Sequence, residues 1–171
     1  ILYNGNMVMF GGWDENSNND VWILHLSTYN WTKVATGGTN PGGRSGHSSV
    51  LYNGQMIMFG GYNDGHGNMK NSLWALDLTS FLWTQLTTNE IKPTARAYHS
   101  SILYNGNMFV FGGWNGSPNN HYNDIWALSL TSYLWTQVTT TGAKPTIRKY
   151  HSSILYNGNM VMFGGWDENS N

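Results

Sequence analysis

The chain has 171 residues, enough for one sizeable core or two small ones, and 40% of it is hydrophobic. Charged residues make up 10%, against roughly 25% in soluble proteins generally; with 15% aromatics and 21 glycines this excludes disorder and fits long amphipathic helices badly. A formal net charge of −1, a pI near 6.6 and no cysteine exclude strong steering toward nucleic acid or anionic membrane, a disulfide framework, a thiolate zinc site and a Cys nucleophile.

The chain opens in a strand-like run, Ile1 to Tyr3, with no visible signal or transit peptide. No stretch approaches the roughly 18 apolar residues that would span a bilayer. An Asn-Gly turn follows at Asn4-Gly5, and the string ILYNG or VLYNG returns at Val50, Ile102 and Ile154. A spacing of about fifty residues is too long for ankyrin, tetratricopeptide or leucine-rich repeats and suits a four-stranded propeller blade.

The second unit shows the pattern whole. HSSVLY (47–52) predicts a first strand, Asn53-Gly54 a hairpin turn, and QMIMF (55–59) a second strand ending in Gly60-Gly61. A polar loop of variable length precedes SLWALDL (72–78), the turn at Thr79-Ser80, and FLWTQL (81–86). Met56/Met58 alternate with Ile57/Phe59, and both sets are apolar, so this strand is expected to be buried on both faces. Residues 1–18 recur letter for letter as 154–171. The expectation is a chain that starts part-way through a first strand and stops after a second.

Three landmarks recur. These are the double glycines (Gly11-Gly12, Gly60-Gly61, Gly112-Gly113, Gly164-Gly165), a Trp about twenty residues later (Trp31, Trp83, Trp135), and Arg-x-x-His (Arg44/His47, Arg96/His99, Arg148/His151). Together they resemble the kelch repeat over essentially the whole chain. The family's usual Tyr before the third turn is Leu here (Leu24, Leu76, Leu128), with Trp22, Trp74 and Trp126 two residues earlier. The resemblance implies an all-β fold of kelch-type β-propeller blades, each of four antiparallel strands. About three blades plus a half are expected, a partial ring of a six- or seven-bladed propeller. The approximate units are 1–43, 44–95, 96–147 and 148–171 of a single segment, 1–171. Further blades of a longer chain, or a second copy, are expected to complete the ring. The glycines and tryptophans are expected to pack blade against blade. The Arg and His series are expected to tie loops to neighbouring blades by hydrogen bonds.

In such a blade the strand one–two and three–four turns share one face of the disc. The two–three loops and the blade connectors share the other, and there the units differ: WDENSNND (13–20), YNDGHGNMKN (62–71) and WNGSPNNHYND (114–124). Loops on a rigid scaffold are where binding residues sit. The candidate partner-binding residues are therefore Trp13, Asp14, Asn16, Arg44, Tyr62, Asn63, Asp64, His66, Arg96, Trp114, Asn115, Asn119, Asn120 and Arg148. Asp14, Asn16, Asn18 and Asp20 alternate as in a calcium loop, but the loop lacks the sixth-position glycine and has His25 in place of the twelfth-position acid. Solvated turn residues capping their own backbone are the plainer reading. His66 and His121 have no second ligand at metal spacing and are read as surface residues. Asn30-Trp31-Thr32 and Asn115-Gly116-Ser117 match the glycosylation sequon, as an Asn/Thr-rich chain does by chance.

No nucleophile–base pair, paired carboxylates or His/carboxylate cluster stands out, so no catalytic residue and no cofactor is assigned. Copper-oxidase relatives of the repeat, as the resemblance implies, need a Cys that this chain lacks. The expected function is a non-catalytic scaffold presenting its variable loops to a protein or peptide partner. If the arginines gathered near the central channel, an acidic segment would suit them. The alternatives are a carbohydrate-binding propeller that stacks sugars on the loop aromatics, and a purely structural repeat assembly, natural or designed. Neither nucleic acid nor membrane is an expected partner.

Overall fold

The computed structural model describes residues 1–63, 68–117 and 120–167. The expected Asn-Gly hairpins form: Asn53 and Gly54 take φ of 46° and 74°, as a type I′ turn demands, and the other three Asn-Gly pairs match. In the first sheet β1 (Leu2–Tyr3), β2 (Asn6–Phe10), β3 (Val21–His25) and β4 (Asn30–Val34) pair antiparallel in sequence order. A short β5 (Gly37–Gly38) leaves it and joins the next sheet.

That second sheet holds β6 (Ser48–Tyr52) and β7 (Gln55–Phe59), then β10 (Leu73–Asp77) and β11 (Leu82–Leu86); β8 (Tyr62–Asn63) and β9 (Asn68–Met69) form a small hairpin in the loop between. β5 runs parallel to β11 and makes a fifth strand on the outer edge. The third sheet is β12 (Ser100–Tyr104), β13 (Asn107–Phe111), β14 (Ile125–Ser129) and β15 (Trp135–Val138), and β16 (Ser152–Tyr156) with β17 (Asn159–Phe163) forms a two-stranded sheet after it. Strand register matches from sheet to sheet: Met56 faces Leu76 as Met108 faces Leu128.

The sheets stack radially. First strands β6, β12 and β16 neighbour one another in turn, and a backbone chain from Tyr150 N to Tyr98 O (3.0 Å) and from Tyr98 N to Gly46 O (2.7 Å) crosses between sheets at their inner ends. The fold is a partial β-propeller with no helix among the described residues.

The period of two along β7 builds two cores. Met56 and Met58 pack with Val8, Phe10 and Val21 of the first sheet, whereas Ile57 and Phe59 pack with Met108, Val110, Trp126 and Leu128 of the third. Burial on both faces of this strand is thus realised. Each junction is wedged by an aromatic pair: Phe10 meets Trp83 at 4.8 Å between centroids, and Phe59 meets Trp135 at 4.8 Å. Gly60 and Gly61 (φ 69° and 87°) let the next connector lie close. A Cβ on Gly60 would stand 2.7 Å from the Arg96 carbonyl, and Gly61 N donates to that carbonyl at 2.9 Å.

On one face, Leu78 N donates to Gly54 O and Leu130 N to Gly106 O, so the one–two and three–four turns sit together. The opposite face carries the two–three loops and the connectors, joined by the bridges Ser45↔Tyr62, Ala97↔Trp114 and Lys149↔Trp166.

Candidate functional site

The loop face is organised around the Arg-x-x-His segments. Arg96 N donates to Lys70 O of the preceding sheet, while its guanidinium reaches into its own sheet: Nη1 to Gly112 O (3.0 Å) and Asp124 Oδ1 (2.6 Å), Nη2 to Asp124 Oδ2 (2.9 Å). Arg44 repeats the rivet through Asn18 O on the main chain and Gly60 O, Pro41 O and Ser72 Oγ on the side chain. At 3% and 1% exposure, Arg44 and Arg96 offer no free guanidinium at the surface. Burial lowers Arg44 to about 10, which leaves it charged at neutral pH. The half-buried Arg148 donates to Gly164 O and Thr146.

The paired histidines are core groups. His47, His99 and His151 lie against Phe10, Phe59 and Phe111 at 5.4–5.5 Å. Burial first, then the neighbouring arginine, pushes His47 down to about 4 beside Arg44 and His151 to about 4 beside Arg148; His99, beside Arg96, falls well below its ordinary value.

Above this layer runs a lane of aromatic rings. Trp13, 49% exposed, stacks on Tyr62 at 6.2 Å; Tyr62 meets Tyr98 at 5.6 Å, and Tyr98 meets Tyr150 at 4.1 Å. Burial first, and then hydrogen bonding with the Tyr62 and Tyr150 hydroxyls, pushes the Tyr98 phenol up. Beside the lane, the Lys149 ammonium lies 4.3 Å from the Trp114 ring, 4.8 Å from Trp166 and 5.4 Å from Tyr150. Desolvation there lowers its pKa.

Tyr98 (φ 60°) and Tyr150 (φ 63°) hold left-handed backbone where the second sheet has Gly46 (φ 65°). A bulky residue there costs on the order of 1–3 kcal/mol. Tyr29, Phe81 and Tyr133 in the three–four turns of the opposite face hold the same backbone, so what distinguishes Tyr98 and Tyr150 is their place in the ring lane. Sequence reasoning missed both tyrosines and Lys149. The visible signal was the change from Gly46 to Tyr98 and Tyr150 between the constant Arg and His of the Arg-x-x-His segment, whose second position also changes, from Ser45 to Ala97 and Lys149.

Of the loop residues singled out in the sequence, Trp13, Asp14, Asn16 and Asn120 are exposed, and Tyr62, Asn63, Trp114 and Asn115 half-buried. Asp64, His66 and Asn119 lie outside the described residues. Trp114 Nε1 donates to Ser117 O at 2.6 Å, and Asn115 Oδ1 accepts from Ser117 N at 3.1 Å. His121 is not a surface residue: it is buried with its ring between Trp114 (6.3 Å) and Trp166 (5.2 Å), because the loop folds back over the connector. Of the calcium-like residues, Asp14 joins Asn16 and Asn18, and Asp20 stands apart. Asp14 Oδ1 accepts from Glu15 N and Asn16 N, and the Asn16 amide first, then the Asn18 side chain, holds the Asp14 carboxyl below the usual range. Asp20 Oδ2 accepts from Trp22 Nε1 at 2.8 Å and pairs with Lys33 at 3.2 Å. Among the described residues, no group of three or more His, Asp or Glu is placed to hold a metal ion.

The whole chain, residues 1–171, matches the family model described as the KLHDC2/KLHL20/DRC7 Kelch-repeats domain. The chain belongs to the kelch-repeat family. Similar curated proteins include human Kelch domain-containing protein 3, 30% identical over 169 residues, covering 93% of this chain and 44% of that protein. The Host cell factor homolog hcf-1 of Caenorhabditis elegans is 31% identical over 183 residues, covering 92% and 23%. The Leucine-zipper-like transcriptional regulator 1 homolog of Drosophila melanogaster is 27% identical over 165 residues, covering 94% and 17%. The kelch chain thus spans less than half the length of each of these relatives. Kelch repeats are in general non-catalytic protein-interaction domains.

Proposed function

We propose that this kelch segment is a binding scaffold whose loop face docks a protein or peptide partner on the aromatic lane. The observation that carries the reading is the run Trp13–Tyr62–Tyr98–Tyr150, beside Lys149 between Trp114 and Trp166, held on left-handed tyrosines. Aromatic side chains with polar tips anchor interfaces because they bury large area with little loss of side-chain freedom. The opposite face repeats Asn-Gly turns with little variation. Partner contact belongs to the exposed rings and to Asp14, Asn16, Asn115 and Asn120 around them; Arg44 and Arg96 hold the sheets in register beneath.

The test is a purified-partner binding assay with Trp13→Ala, Tyr150→Ala and Trp166→Ala, singly and combined. Each single change is expected to weaken binding about tenfold or more, as loss of an interface anchor does, and Asn4→Asp on the opposite face is expected to change nothing. Equal binding by the triple variant would remove the loop face as the docking surface. A carbohydrate ligand is the second reading, favoured by the exposed Trp13 ring stacked on Tyr62 beside Asp14 and Asn16. Glycan-array binding lost in Trp13→Ala would carry it, and a blank array would end it.

A further inference from the structure

We propose that the cleft beside Ser72 is an anion subsite that takes a carboxylate against the Ser72 hydroxyl, next to the place that Asp124 fills in the third sheet. The two arginine rivets are built alike up to their last contact. Arg96 ends on Asp124, whose oxygens accept from Nη1 and Nη2 and, at 2.7 Å, from Trp126 Nε1. Arg44 ends on Ser72 Oγ at 3.2 Å, and that same oxygen accepts from Trp74 Nε1 at 3.0 Å. The guanidinium and indole donors stand in the same places, and between them the second sheet has a neutral hydroxyl oxygen where the third has a carboxylate. Arg44 is 3% exposed, its Nε has no partner, and among the described residues no carboxylate lies within ion-pair distance of it. An unneutralised cation in such a place is costly.

Ser72 also lines an open cleft of about 480 Å³ with Asn71, Gln85, Thr87, Thr88 and Lys92. With both acceptor positions of its oxygen taken by N–H donors, the Ser72 hydroxyl hydrogen is left to donate into that space. The Lys92 ammonium, the Thr87 hydroxyl and the second amide hydrogen of Asn71 offer further donors on the walls, the first Asn71 hydrogen being donated to Pro93 O and the Thr88 hydroxyl to Asn89 O. Lys70 replaces Tyr122, the ring on which Arg96 rests at 4.1 Å, so the second sheet adds a cation where the third has an aromatic. Hydroxyl and ammonium donors beside a buried guanidinium that has only neutral acceptors suit a carboxylate, from a small acid or from an acidic side chain of a bound peptide.

The experiment titrates acetate against chloride at constant ionic strength, reading the melting temperature and the Trp74 indole N–H resonance. Acetate is expected to raise the melting temperature by roughly 3 °C near saturation and to move the Trp74 signal while leaving Trp126 in place. Ser72→Asp is expected to melt higher in chloride and to lose the acetate response, since the site then carries its own carboxylate. Ser72→Ala, which needs no new charge to fold, is expected to lose the response without the gain. A second arm uses a capped tri-glutamate peptide: tighter Ser72-dependent binding than acetate identifies the acidic side chain as the source, and equal or weaker binding identifies the small acid. Equal acetate responses in the wild type and both variants, or none in the wild type, would overturn the proposal.

Discussion

The second and third sheets of this kelch segment share strand register residue for residue, yet they hold the same buried arginine in different ways. Val50, Ile57 and Phe59 sit where Ile102, Phe109 and Phe111 sit, and Trp83 and Trp135 are both sealed against the preceding sheet's phenylalanine. The apolar framework follows from a strand pattern that leaves little choice. The charge partner follows from one residue at the end of a variable loop, Asp124 in one sheet and Ser72 in the other. A repeat can therefore be uniform in its core and non-uniform in its electrostatics, and the loop face inherits the non-uniformity.

The largest effect tests the uniform half. Trp83→Ala and Trp135→Ala should each cost about 3–5 kcal/mol, since each empties an aromatic-sized hole at a sheet junction. Denaturant titration is expected to give losses within about 1 kcal/mol of each other. A clearly larger loss at one site would break the equivalence of the junctions. Trp31, their counterpart in the first sheet, is 44% exposed; its replacement should cost well under half as much.

The next effect tests the non-uniform half. Asp124→Ala leaves Arg96 buried without its carboxylate and should cost about 3–5 kcal/mol. Ser72→Ala removes a neutral hydroxyl from Arg44 and should cost roughly 1 kcal/mol. Equal losses would mean that the Arg96–Asp124 pair is no stronger than a single neutral contact.

Acid should act on the second, third and last sheets through the histidines. His47 and His151 are lowered to about 4 in the folded state, and His99 well below its ordinary value, which for all three is 6.5. Between those values the unfolded chain binds more protons, so their contribution is complete above pH 6.5 and is lost as pH falls toward 4. On the order of 2–3 kcal/mol is expected to disappear across that window for His47, and less for the better solvated His151. His47→Phe should flatten the profile from the second sheet, and an unchanged slope would show that His47 does not charge on unfolding.

These contrasts mark how far the sequence reaches. The four-stranded units, the Asn-Gly hairpins, the two-sided burial of the QMIMF strand and the separation of turns from loops were all legible, because period two and fixed turn chemistry act locally. The arginine and histidine roles were legible only in part. Hydrogen-bonded ties to neighbouring blades were expected, whereas the guanidiniums bond within their own sheets and the histidine rings pack against the preceding sheet's phenylalanines. What escaped depended on contacts between units. The burial of His121 requires the loop to fold over Trp166, and the Lys149 cage joins residues from two units. The left-handed tyrosines look like ordinary polar aromatics in a string, and their strain exists only once Gly46 is seen to share their backbone shape. The difference between Ser72 and Asp124 stood in the sequence, but its meaning depends on where the arginine points.

The smallest contrast concerns the outer edges. In the second sheet the connector itself pairs with the outer strand, Gly37 N donating to Phe81 O at 3.0 Å and Thr39 N to Trp83 O at 3.2 Å. In the third sheet one side chain does the same work: Asn89 Nδ2 donates to Trp135 O at 3.2 Å, and Asn89 Oδ1 accepts from Trp135 N at 2.8 Å. An amide side chain carries the donor and acceptor of a peptide group, so Asn89 imitates one residue of an added strand and covers an edge that would otherwise be open to pairing. Asn89→Ala should cost about 1 kcal/mol and speed hydrogen exchange at the Trp135 amide, with the Trp83 amide unchanged. Asn89→Asp keeps the acceptor for Trp135 N and loses the donor, so exchange at Trp135 should stay slow although stability falls slightly. Thr39→Pro, which deletes only the donor to Trp83 O, should leave Trp135 untouched. If Trp135 exchanges no faster in Asn89→Ala, the side chain is not what holds that edge, and the two sheets close their rims by unrelated means.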